Sequence, residues 1–346
     1  MNKVIQGQTL NVLTQELMKE VINGDVSTSR NGDVHYLNNA LLELGNPRAR
    51  HLHLEGRKNN IFATFAEVFW VLAGDEKIDP YLSYFLPRAV DFSDDQETWR
   101  GAYGPRIYAH NQVQGVIDIF KHEGLDSRRA VISIYDSMKD SPSGLKEIYR
   151  LQTSKDIPCN NMLHFYVRDG KLNCNAFSRS GDVVWGVTNI NIVEWTVLME
   201  YIAQEIGVDV GIYSHFVTNV HIYEFTKSQV EAVLSADFQP LGGNSKPMIF
   251  PTGNNKARYF SKDFVSICSD LITDDKITIE MALSGVHSLF ARYEIPTEGN
   301  IIWDYMRSIV AYIEQKKNGT EFTLEFEEGD FKDAILSSSF RKFGVR

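Results

Sequence analysis

The stretch DIPCNNMLHFYVRDGKLNCNAFSRSGDVVWG, residues 156–186, decides how the rest of the chain is read. From Met162 to Ser180 it is rich in strand-forming Phe, Tyr, Val and Leu, and Asp169-Gly170 supplies a two-residue turn, so it predicts a β-hairpin. Just before the first strand, Cys159 stands between a proline and two asparagines. The chain has three cysteines, Cys159, Cys174 and Cys268. An odd number without CxxC spacing argues against a disulfide framework and a structural zinc site. Chemistry at a thiol here would be nucleophilic, although a lone cysteine is more often a small buried hydrophobe.

Around this hairpin, other patterns alternate between helix and strand. The segment NIFATFAEVFWVLAGDEKID reads as a helix with one aromatic face, ended by Gly74. NQVQGVIDIFKHEG and INIVEWTVLMEYIAQEIG read as helices, and residues 129–136 and 210–225 as strands. Residues 24–37 are rich in turn residues, and residues 46–57 alternate in the manner of a strand. This order predicts an α+β fold, a mixed β-sheet packed with helices. Residues 239–260 read as a Gly/Pro/Asn-rich loop, and three helical patterns follow. The expected organisation is therefore a catalytic domain over 1–230 and a segment over 231–346 that completes it and adds a mainly helical C-terminal extension.

With 346 residues, 43% of them hydrophobic, the chain can bury a sizeable core. No apolar run approaches the roughly 18 to 20 residues of a membrane span. The N-terminal MNKVIQGQTLNVLTQELMKE reads as an amphipathic helix rather than a signal peptide, which places the protein in the cytoplasm. A formal charge of −10 argues against a nucleic acid polymer as partner. A small anion remains open to converging arginines. Arg128-Arg129 opens a strand and Arg179-Ser180 closes one; paired guanidinium forks and a hydroxyl suit phosphate oxygens.

These motifs, taken together, resemble the thymidylate synthase family from about residue 27 to 230. Pro158-Cys159 leads through a strand to Arg179-Ser180-Gly181-Asp182 and Gly186, like the family's segment around its nucleophile. Asp126–Arg129 is similar to its D-S-R-R motif, Glu67, Trp70, Leu72 and Gly74 to its E-x-x-W-x-L-x-G helix, and Tyr103-Gly104 to its Y-G loop. His221-Ile222-Tyr223 matches its H-[IL]-Y strand and Arg30-Asn31-Gly32 its R-x-G phosphate loop. The resemblance implies a thymidylate synthase-like fold and a homodimer. It implies that Cys159 adds to C6 of a pyrimidine nucleoside monophosphate, so that C5 attacks the methylene of 5,10-methylenetetrahydrofolate, the co-substrate. In its terms, nearby arginines favour the thiolate, and Arg30, Arg179, Ser180 and, in trans, Arg128 and Arg129 hold the phosphate. His221 and Tyr223 bond the sugar, Glu67 organises water and protons, Tyr103 sits by C5, and Asp182, Gly186 and Trp70 face the folate.

Four departures from the family pattern bear on the product. Asn160 replaces a histidine, and Ser178 replaces a glutamine. Gly186-Val187-Thr188-Asn189-Ile190-Asn191-Ile192 is one residue longer than the G-x-P-F-N-I run, and the chain ends in SSSFRKFGVR rather than a short apolar tail. The surroundings of Cys159 are more similar to virus-type deoxycytidylate and deoxyuridylate hydroxymethylases than to housekeeping synthases. The expectation is a pyrimidine nucleotide hydroxymethyltransferase; the alternatives are a thymidylate synthase, which is a methyltransferase, and a non-catalytic binding protein. Asn191, then Asn189, are the expected contacts to the base, with uracil versus cytosine and deoxyribose versus ribose left open. No metal is expected: His51 and His53 alternate like a ligand pair but no third ligand is evident.

Overall fold

The computed structural model describes residues 3–237 and 245–346. One mixed sheet contains β1 (Lys3–Gly7), β2 (Asp25–Ser29), β3 (Gly32–Leu44), β4 (Val131–Ser133), β5 (Asn160–Arg168), β6 (Lys171–Ser178), β7 (Gly181–Asp182) and β8 (Asp209–Tyr223). Its order is β1-β3-β8-β6-β5-β4, with β2 on β3 and β7 on β8. The β5–β6 hairpin turns where expected, with Asp169 at φ 51° and Gly170 at φ 70°. Both residue types accept the left-handed region that such a turn demands. β6 and β8 run parallel, so the chain must cross over between them.

The helices are α1 (Leu10–Ile22), α2 (Ile61–Ala73), α3 (Tyr81–Phe85), α4 (Tyr103–Tyr108), α5 (Gln112–Glu123), α6 (Ser137–Asp140), α7 (Pro142–Ile148), α8 (Ile192–Ile206) and α9 (Lys227–Ser235). From residue 245 onward come α10 (Lys256–Thr273), α11 (Ile279–Arg292), α12 (Ile301–Asn318) and α13 (Asp330–Ser337), with a short ribbon of β9 (Thr323–Leu324) and β10 (Gly344–Val345). The loop expected over 239–260 lies partly outside the described residues and gives way to α10 at Lys256. No helix among the described residues is long and apolar enough to cross a membrane.

α8 is the crossover, and it lies on the inner face of the sheet, where Leu163, Phe165, Cys174, Ala176, Tyr213 and Val217 are buried. α2 is buried along its whole length rather than on one aromatic face. Packing of α10 and α12 against it explains why, and one apolar core runs from the sheet through α2 and α8 into the C-terminal helices. Gly74 ends α2 in the left-handed conformation, with its N–H on the carbonyls of Trp70 and Val71. On the opposite face of the sheet the register sets Val131, His164, Phe177 and Phe216 across neighbouring strands. Val131 is 41% and Phe177 36% exposed, and Ile212 farther along β8 is 46% exposed, so none of the described elements covers that apolar strip.

Three local expectations are corrected. Residues 3–7 form β1, and only from Leu10 does the N-terminal pattern become a helix. The turn-rich segment 24–37 is a hairpin, in which the polar residues occupy an exposed ladder and only the tip around Arg30-Asn31 turns. The strand expected over 46–57 is absent. Its backbone is satisfied by side-chain amides instead: Asn11 donates to the His51 carbonyl and accepts from His53 N, and Asn59 donates to the Leu52 carbonyl. His51 is buried against the Tyr305 hydroxyl at 2.6 Å and His53 lies against Asn11, which is packing rather than a ligand pair.

Candidate active site

Cys159 sits where β5 leaves the loop, half-buried. Arg179, at the end of β6, reaches back across the hairpin: its guanidinium donates to the carbonyls of Pro158 and Ile157 at 3.1 and 2.9 Å and lies 3.6 Å from the Cys159 sulfur. The Arg179 N–H also donates to the Cys159 carbonyl at 3.0 Å. The hairpin thus fixes nucleophile and cation together. The cation does not win electrostatically: burial raises the thiol pKa, Arg179 offsets only part of it, and Asp156 adds to the rise. Arg179 favours the thiolate, as expected of a nearby arginine, but in the protein without ligand burial outweighs it. Asp156, itself pushed up to about 6 by burial, accepts from Gly101 N at 2.8 Å.

Beside the thiol, Asn160 is fully buried. Its amide donates to the Tyr103 hydroxyl at 2.7 Å, and its carbonyl accepts from Ser178 Oγ at 2.7 Å and Trp195 Nε1 at 3.2 Å. Ser178 lies 2.7 Å from His215 Nε2, and Tyr213 Oη lies 3.1 Å from His215 Nδ1. Burial holds His215 down at about 3, so this ring is neutral. The two departures at 160 and 178 therefore meet in one network. Trp195, His215 and Tyr213 sit in strongly apolar helix and strand patterns, and no sequence signal singles them out.

The residues expected to contact the base lie where α2 meets α8. Residues Val183–Asn191 wind as a π-helix into α8, and the Ile192 N–H reaches back to the Val187 carbonyl. The extra residue after Gly186 is absorbed by this wider turn rather than by a loop. Asn189 accepts from Thr64 Oγ1 at 3.0 Å, so its amide is engaged within the protein. Asn191 is 8% exposed and makes no capping hydrogen bond for α8. Glu67 on α2 and Glu194 on α8 are both buried, and burial raises both carboxyl pKa values. Glu194 is raised further by Glu67. Sequence reading missed Glu194, which looks like an ordinary polar position in an amphipathic helix.

The remaining expected residues fall in three groups. Asp182 and His221 are neighbours in the β7–β8 ladder, and the His221 and Tyr223 rings contact edge to face at 4.9 Å. Asn31 in the Arg30 loop donates to Tyr223 Oη at 3.4 Å, which brings that loop to the same end of β8. Ser180 is half-buried and follows Arg179 directly. Gly186 lies in the π-helix, where an added Cβ would meet Asn191 Oδ1 at 3.8 Å. Arg128 and Arg129 are exposed, and Arg129 pairs with Glu123 at 2.7 Å. Among the described residues no hydrogen bond or ion pair joins them to Cys159 or Arg179 of their own chain. Trp70 is 1% exposed and donates to the Lys77 carbonyl at 2.9 Å, so it belongs to the packing of α2 and offers no face to a ligand.

Asp182 caps the π-helix by accepting from Trp185 N at 2.6 Å, but its second oxygen is buried without a partner. Nearby, Arg57 donates to the Val184 carbonyl and leaves two buried nitrogens unpartnered. The exposed Trp185 flanks them. Unpaired buried donors and an acceptor beside an exposed indole fit a flat, polar-edged ligand such as a pterin.

A thymidylate synthase profile matches residues 17–243. The chain belongs to the thymidylate synthase family. It is 37% identical over 338 residues to a deoxyuridylate hydroxymethyltransferase of Delftia phage PhiW-14, covering 93% of this chain and 92% of that one. It is 31% identical over 257 residues to the protein of the same name from Pseudomonas phage M6, covering 72% and 70%. A third of that name, from Bacillus phage SP01, is 26% identical over 291 residues, covering 76% and 74%. As a thymidylate synthase family member the protein is an enzyme that transfers one-carbon groups.

Ionisation of the Cys159 thiol is opposed by burial and by Asp156. Asp156→Asn removes the negative charge, so it should lower the Cys159 pKa and speed alkylation by iodoacetamide at pH 8 by about three- to tenfold. Arg179→Gln should slow it. The measurement is the rate of Cys159 modification by peptide mass, followed from pH 6 to 10; an unchanged profile in both variants would contradict this account of the thiol.

Proposed function

We propose that the protein is a folate-dependent hydroxymethyltransferase that moves a one-carbon unit from 5,10-methylenetetrahydrofolate to C5 of a pyrimidine nucleoside monophosphate, deoxyuridylate first among them. The observation that carries this reading is the Cys159 sulfur held 3.6 Å from the Arg179 guanidinium, with Asn160 next in the chain and hydrogen-bonded to Tyr103. A nucleotide phosphate bound at Arg179 brings the base over the thiol. Its negative charge also draws the guanidinium, so the thiol must be deprotonated as its sulfur bonds to C6, and the ring's own polarisation supplies the driving force. Covalent addition makes C5 nucleophilic, and Glu67 is set to hand protons to and from the ring oxygen.

The names of the phage relatives support deoxyuridylate and a hydroxymethyl product. Asn191, with its amide not engaged in capping, is the contact expected to read the base edge, because an amide both donates and accepts. Asp182, Arg57 and Trp185 would hold the folate, which supplies the methylene carbon. The test is incubation with methylenetetrahydrofolate and each of dUMP, dCMP, UMP and CMP. A product heavier by CH2O supports the reading, with dUMP the best substrate. A product heavier by CH2, with dihydrofolate formed, would show a synthase instead, and no product with any nucleotide would favour a binding protein.

The apolar strip of the exposed Val131, Phe177 and Ile212 with the half-buried Phe216 supports a homodimer joined sheet to sheet, and Arg128 and Arg129 precede the edge strand β4. They then serve the partner's phosphate site. Cys159→Ala and Arg128→Ala/Arg129→Ala should each be inactive, yet mixing them should restore up to about a quarter of wild-type activity, because one hybrid site keeps both parts. Demonstrated subunit exchange without recovery would return these arginines to their own chain.

A further inference from the structure

Among the described residues, Glu194 is a carboxyl with both oxygens buried and without a hydrogen-bond partner. It is 2% exposed, and neither carboxyl oxygen has a hydrogen bond of proper distance and angle. The Asn191 amide, one helical turn earlier, is close enough to favour the charged form but does not satisfy it. The titratable groups that interact electrostatically with it lie on three other elements: Glu67 on α2, Tyr103 on α4 and Tyr213 on β8. Its neighbour Trp195 holds Asn160, the residue next to the nucleophile. A buried carboxyl with no partner is unfavourable unless something outside the protein completes it. An apolar side chain would pack α8 against α2 at less cost.

We infer that Glu194 is a catalytic residue of the hydration step, paired with Glu67 around the water whose oxygen enters the product. This rests on the hydroxymethyltransferase reading and assigns the group that separates that outcome from simple methylation. Two buried carboxyls in one site share a proton, because the second ionisation is opposed by the first and by burial. With the shared proton on Glu67, that carboxyl donates to the ring oxygen while Glu194 accepts from water. After tetrahydrofolate leaves, the base carries an exocyclic methylene at C5 and the Cys159 sulfur at C6. The water oxygen bonds to the methylene carbon, its proton passes to Glu194, and the electron pair of the exocyclic double bond moves into the ring, onto the oxygen facing Glu67. Collapse of that enolate restores the C5–C6 double bond and expels the Cys159 thiolate, which recovers the proton from Glu194.

The experiment uses full-length enzyme in excess over dUMP tritiated at C5, with methylenetetrahydrofolate. Tritium release reports the steps before the branch, and hydroxymethyl product reports hydration. In Glu194→Gln the release should stay within about threefold of wild type while product formation falls about a hundredfold. Intact-protein mass should then find Cys159 carrying the nucleotide plus one carbon atom, which is the CH2O gain of the product less one water. Glu194→Asp, which keeps the acid, should recover part of the product rate, and thermal melting with bound nucleotide checks that both variants are folded. Release and product falling together in both variants, or neither falling in Glu194→Gln, would overturn the assignment of Glu194. A wild-type enzyme that releases no tritium would overturn the parent reading instead.

Discussion

The site is organised by a constraint on one side chain. Asn160 is fully buried, so its amide must find both donors and acceptors within the protein. It finds them on three further elements: Tyr103 at the start of α4, Ser178 at the end of β6 and Trp195 in α8. Satisfying one amide therefore fixes the position of the helix that carries the base-reading residues relative to the hairpin that carries Cys159 and Arg179. Ser178 extends the same network to His215 on β8, the strand that leads to His221 and Tyr223. The proposed nucleophile and the proposed sugar and base contacts would thereby share one frame, as preorganised catalysis requires.

The second organising feature is the meeting of α2 and α8 over a pair of acids. Glu67 is buried with the rest of α2, and the π-helical turn ends at Asn191, one turn before the buried Glu194 of α8. The one-residue insertion is thus a change in which side chains reach the site, not a longer loop. Burial raises the acids' pKa values and stores protons where ring chemistry needs them. The C-terminal helices contribute indirectly, since α10 and α12 cover the outer side of α2 and keep it dry.

Local signals in the sequence were legible and long-range ones were not. Asp169-Gly170 and Gly74 announce a turn and a helix end through backbone conformations that few other residues accept, and both stand where the sequence puts them. Cys159, Arg179 and Asp182 were found because their motifs lie close together in the chain. Residues 46–57 misled because their backbone partners, Asn11 and Asn59, act through side chains that no strand pattern anticipates. Glu194, Trp195, His215 and Tyr213 stayed hidden for a related reason. Each fits the periodicity of its own element, and only the packing of α8 onto β6 and β8 turns them toward the thiol.

The central claim is that water, rather than hydride, meets the C5 methylene in this site. The most direct measurement is the reaction of dUMP and methylenetetrahydrofolate in heavy-oxygen water, with the nucleotide product analysed by mass and the folate product by absorbance. The account predicts a hydroxymethyl nucleotide whose new oxygen carries the heavy isotope, with tetrahydrofolate as the released folate. A methylated nucleotide without the isotope, formed together with dihydrofolate, would contradict it.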